Sequence, residues 1–96
     1  MEAMEKSVHT SEYRALRAEL RKLRQNAGLS QRALAARLSV PHSWVAKIEN
    51  GERRIDLIEF CWFATACGEY PVAVLEGLLK RSHGVGAARI GKEPES

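Results

Sequence analysis

Apolar residues recur every three or four positions along most of the chain, and five stretches carry this helical spacing. Tyr13, Leu16, Leu20, Leu23 and Ala27 form one stripe. They predict a first helix over about residues 11–27, capped by Ser11 and stopped at Gly28. Ser30 caps a short second helix whose inward positions are Leu34, Ala35 and Leu38, with Leu29 and Leu34 spaced for a hydrophobic staple. A third short helix starts near Pro41, buries Val45 and Ile48, and ends at Asn50-Gly51. Asp56 and Glu59 form a capping pair for a fourth helix, with Leu57, Phe60, Phe63, Ala64 and Cys67 inward and Gly68 at its end. Pro71 opens a fifth, whose predicted inward stripe is Val72, Leu75, Leu78 and Leu79. From His83 onward three glycines and a proline replace the periodicity. There is no hairpin signal and no internal repeat. The expected class is all-α: a five-helix domain over residues 11–82, between a flexible N-terminal segment, 1–10, and a flexible tail, 83–96.

Composition narrows the class. Ninety-six residues make one domain. With 45% apolar and 28% charged residues, the chain is globular and not disordered. Three prolines and two cysteines exclude a Pro-rich linker protein and a disulfide scaffold. No run approaches the ~20 apolar residues that span a bilayer, and the start, MEAMEKSVHT, lacks the pattern of a signal peptide. A small soluble cytoplasmic protein is expected, with no membrane partner.

Charge becomes informative once it is located. The net value is +3, yet residues 13–55 carry ten Lys or Arg against three Glu. The flanking stretches 1–12 and 56–81 are each acidic by two, and 82–96 balances. A basic centre on an otherwise acidic domain is the footprint of a polyanionic partner, although a solvated Arg-rich helix face would look the same.

Two short helices joined by a tight turn, inside a basic five-helix domain, suggest a helix-turn-helix. The stretch GLSQRALAARLSVPHSWVAKIENGERRID resembles the DNA-binding motif of the Cro/XRE-type, lambda-repressor-like family, and the likeness extends over about residues 11–80. It rests on Gly28-Leu29-Ser30-Gln31 at the entry and a small Ala35 where the two helices cross. It also includes apolar Leu34, Leu38, Val40, Val45 and Ile48, and closes with Ile48-Glu49-Asn50-Gly51-Glu52-Arg53-Arg54. Three positions depart from the family pattern. Ser39 stands in the turn where Gly is usual, at a cost on the order of 1 kcal/mol if the turn keeps its shape. Arg54-Ile55-Asp56 replaces a common Pro after the Arg, and Trp62 occupies a position that is commonly polar.

The resemblance implies a set of roles. The third helix would enter the major groove of double-stranded DNA, with His42, Ser43, Ala46 and Lys47 at base edges. Gln31, Trp44, Asn50, Arg53 and Arg54 would hold phosphates. Half-burial against the first helix is the competing expectation for Trp44. Arg24 and Glu49 resemble the family's partly buried ion pair, a strut and not a chemical site.

Cys61 and Cys67 do not face each other and are expected as thiols in or near the core. His9, His42 and His83 have no zinc-like spacing with them. No catalytic constellation, metal site or cofactor motif emerges, and no enzyme is expected.

A DNA-binding regulator acting as a homodimer on an inverted repeat fits best. The alternatives are an antitoxin that also binds a toxin partner, and a helical protein-interaction domain without DNA binding. Ile58 and Trp62, with Val74 on the fifth helix, are expected on one exposed face that anchors the dimer or another partner.

Overall fold

The computed structural model describes residues 10–82. Both terminal segments expected to be flexible lie outside the described residues, except Thr10. Five helices follow one another: α1 Ser11–Asn26, α2 Gln31–Leu38, α3 His42–Glu49, α4 Leu57–Ala66 and α5 Pro71–Ser82. No strand occurs among the described residues.

The helix ends follow the sequence with one shift. Thr10, not Ser11, caps α1: its hydroxyl accepts from the Tyr13 N–H at 3.1 Å. Ser11 is one residue too late, because a cap oxygen must reach the third helical N–H. Ser30 caps α2 through the Ala33 N–H at 3.0 Å. Pro41 sits at the cap position of α3 and makes no side-chain cap bond. At α4 the capping box is complete, with Glu59 N–H on Asp56 Oδ1 at 2.7 Å and Asp56 N–H on Glu59 Oε1 at 3.0 Å.

One cluster holds the helices together. Leu20 and Leu23 come from α1, Leu34 and Ala35 from α2, Val45 and Ile48 from α3; Phe60, Phe63, Ala64, Cys67 and Val74 complete it from α4 onward. Ala35 is buried in it, where a larger side chain would force the helices apart. Tyr13 adds a polar tie, its hydroxyl accepting from the Ile55 N–H at 2.6 Å.

Two expectations about the core are corrected. Val74 was expected on the outer face of α5, but it is only 6% exposed and lies in the core with Leu78. Val72, Leu75 and Leu79, expected inward, are exposed instead. The cause is the width of the apolar arc: positions 74 and 78, and positions 72, 75 and 79, both satisfy the three-and-four spacing, so periodicity alone leaves the helix phase open. Leu57 is likewise exposed; as the first residue of α4, it edges a groove of about 410 Å³ shared with Tyr13, Leu16 and Leu75.

Ser39 has φ 59° and ψ 42° and is left-handed at the end of α2. The turn therefore keeps the shape for which glycine is suited, with a side chain that disfavours it. Ser39→Gly should stabilise the domain by roughly 0.5–1 kcal/mol and raise the melting temperature by about 4 °C. A thermal melt of both proteins followed by far-ultraviolet circular dichroism measures the change.

Candidate nucleic-acid interface

Helices α2 and α3 form a unit whose connection runs through Ser39, Val40 and Pro41. The Val40 N–H closes the end of α2 on the Ala35 carbonyl at 3.0 Å. Val45 and Ile48 of α3 are fully buried, while His42, Ser43 and Lys47 are exposed and Ala46 is half-buried. The helix is anchored on one face and presents a short polar face on the other. At the start of α2, the Gln31 and Arg32 N–H groups have no acceptor within the helix, which favours an anion there.

Glu49 closes α3 from beneath. It is 3% exposed, and its carboxylate collects donors from two other helices. Arg24 of α1 grips it with Nε on Oε2 at 2.7 Å and Nη2 on Oε1 at 2.9 Å. Gln31 of α2 donates Nε2 to Oε1 at 3.0 Å. Arg21 adds a longer contact at 3.4 Å and reaches the Glu49 carbonyl at 3.3 Å. Arg24 also donates to the Leu29 carbonyl at 2.9 Å, tying the α1–α2 connection to the same point. Burial pushes the Glu49 carboxyl up, but the bonds from Arg24, Gln31 and Arg21 outweigh it and hold the group below its usual range. The hydrogen bond from Arg24 to Glu49 correspondingly raises the guanidinium.

Beyond α3 the chain turns at Gly51, whose φ is +77°; a Cβ there would also lie 2.9 Å from the Arg17 guanidinium. Asn50 and Arg54 are exposed. Asn50 reaches Glu52 through Nδ2 at 3.5 Å. Arg53 is drawn inward: Nη1 and Nη2 meet Glu59 Oε1 and Oε2 at 3.0 and 2.9 Å, and Nη1 also reaches the Arg54 carbonyl at 2.9 Å. Its guanidinium carbon stands 5.3 Å from the centre of the half-buried Trp44 ring, within cation–π range.

Residues 15–78 match the family model described as a helix-turn-helix domain. Among solved structures, an XRE-family like protein from Pseudomonas syringae pv. tomato str. DC3000 is 42% identical, with a TM-score of 0.74 over 83% of this chain and 98% of that one. No curated protein matches. The chain belongs to the XRE-type helix-turn-helix family. It is thus a member of a family of DNA-binding regulators.

In this XRE-type domain the sequence placed the α2–α3 unit, but not all its supports. Gln31 as a Glu49 partner and Glu59 as an Arg53 partner have no signature in the sequence pattern, because each bond joins residues on separate elements. Cys61 and Cys67 are free thiols, half-buried and buried; burial pushes Cys67 up to about 11, which keeps it protonated and unreactive. Among the described residues, no helix is long and apolar enough to cross a membrane.

The depressed Glu49 carboxyl links stability to pH. An unfolded Glu titrates near ~4.3, so its contribution is fully present above that value and is lost as pH falls through the lower folded value. Glu49→Gln should remove this part of the acid dependence. At neutral pH it should cost about 3 kcal/mol by leaving Arg24 uncompensated. Urea unfolding at a series of pH values tests both effects.

Proposed function

We propose that the protein is a sequence-specific regulator of transcription that binds double-stranded DNA as a homodimer on an inverted-repeat operator. The observation that carries this reading is the division of α3 into a fully buried apolar face and an exposed face of His42, Ser43 and Lys47. Such a helix suits the major groove. Lys47 donates to guanine O6 or N7, and His42 donates or accepts according to tautomer. Ser43 reaches either kind of edge, and Ala46 touches a thymine methyl.

Gln31, Asn50 and Arg54 take phosphates on either side. One Gln31 N–H is held by Glu49; the second is directed by that bond and supplies the phosphate contact. Lys47→Ala and His42→Ala should each cost ~1–3 kcal/mol on the operator and relax preference at one position per half-site. Fluorescence-anisotropy titrations on selected operator and random DNA measure this. Equal losses on both DNAs would assign the recognition face elsewhere.

A single α2–α3 unit reads too few base pairs for useful affinity, which supports pairing two copies about a two-fold axis. Half-sites are then centred about 10 bp, or a multiple of it, apart. The proposed pairing face contains Ile58 and Trp62, which are 58% and 51% exposed, with Thr65 beside them on α4. An exposed pair of this kind favours a contact surface, with Trp62 as its anchor. Trp62→Ala should shift sedimentation toward monomer and weaken operator binding while leaving the helical signal in place. A variant that stays dimeric at low micromolar concentration would give this face to a different protein partner, such as a toxin.

A further inference from the structure

Arg53 follows the recognition helix and is basic, which makes it an obvious phosphate ligand, but its surroundings argue for another role. Three donor contacts are already made within the chain: two to the Glu59 carboxylate at 3.0 and 2.9 Å and one to the Arg54 carbonyl at 2.9 Å. The fork-to-fork geometry with Glu59 is the geometry a phosphate would otherwise use. Glu59 is itself fixed, because it accepts the Asp56 N–H in the capping box of α4. On its other side the guanidinium meets the Trp44 ring, and Trp44 lies in α3 between Ser43 and the fully buried Val45. A continuous set of contacts therefore runs from the start of α4, through Glu59 and Arg53, to the first half of the recognition helix.

We propose that Glu59 and Arg53 are positioning residues: they brace Trp44, and through it the base-reading residues of α3, and Arg53 does not bind phosphate. This rests on the DNA-binding function proposed above and deepens it, by assigning specificity to a pair that makes no DNA contact. Arg53 and Glu59 carry opposite charges, so the clasp adds little net positive charge to the surface facing DNA. Its effect falls on the orientation of His42, Ser43 and Lys47. Backbone phosphate binding, which tolerates small shifts of a helix, is left nearly untouched.

Two conservative variants separate the roles. Arg53→Lys keeps the charge and loses the planar fork. Glu59→Gln keeps an oxygen for the Asp56 N–H, since Gln also serves at this capping position, and loses the ionic clasp. Each should lower operator affinity about tenfold, the scale of one weakened base contact. For Arg53→Lys, which preserves the charge balance, affinity for random DNA and the slope of log affinity against log salt should stay unchanged, whereas Glu59→Gln uncovers the Arg53 charge and should steepen that slope on every DNA. The double variant should lose no more than either single one, because the two residues act as a unit.

A second measurement does not involve DNA. Amide hydrogen exchange in the free protein should rise about tenfold across residues 44–47 in both variants, with the overall helical signal retained. If Arg53→Lys binds as the wild type does and Arg53→Ala flattens the salt slope by roughly one unit on every DNA, Arg53 is a phosphate contact and the proposal is overturned. Unchanged exchange and unchanged operator affinity would also overturn it. A wild-type protein that does not distinguish operator from random DNA would instead overturn the proposed function, while the exchange data still decide whether the brace exists.

Discussion

A carboxylate removed from water has to be answered by donors, and Glu49 imposes that requirement on three helices at once. Its side chain is fully covered, so each oxygen must be satisfied inside the protein or the charge would be costly. Arg24 and Arg21 answer from α1, and Gln31 from α2. Helix α3 has only eight residues, too few for stability by itself. Its two fully buried residues, Val45 and Ile48, give it adhesion without direction, because apolar contact tolerates sliding. The bidentate Arg24 contact does not, since a guanidinium and a carboxylate meet well only in one plane and at one distance. A buried ion pair need not stabilise a fold relative to an apolar replacement. Its effect here lies in fixing where a short helix sits relative to α1 and α2.

The sequence carried the fold wherever a local signal and a long-range one coincided. Ser30, the Asp56–Glu59 box and Gly51 each mark a helix end through chemistry within a few residues, and all three stand where expected. Helix α5 shows the opposite case. Its apolar positions satisfy two phases equally well, and the choice depends on how α1 and α4 shape the space it enters. Val74 thus moved from the surface to the core, and Val72, Leu75 and Leu79 moved outward. In the candidate site, the exposed residues of α3 follow from the burial of Val45 and Ile48, which periodicity can supply. The partners of Gln31 and Arg53 do not follow, because a side chain that can reach several acceptors gives no sign in its own neighbourhood of which one it finds.

The basic centre of the chain also has a different meaning once its side chains are located. Residues 13–55 hold ten Lys or Arg, and a charge count treats them all alike. Arg24 is neutralised by Glu49 and 12% exposed at its side chain, so it contributes little field at the surface. Arg53 is matched by Glu59. Arg37 donates to the Ala66 carbonyl at 2.9 Å and closes the end of α4, which is a favourable place for a cation. These arginines organise helices, and the two matched by carboxylates, Arg24 and Arg53, add little to a long-range attraction for a polyanion. Long-range charge raises affinity for all DNA alike, whereas arginines held by carboxylates fix where helices sit, Arg24 through Glu49 at the end of α3 and Arg53 between Glu59 of α4 and Trp44 of α3. A domain that uses part of its arginine in this second way gives up some general attraction to a polyanion and gains a more sharply placed α3.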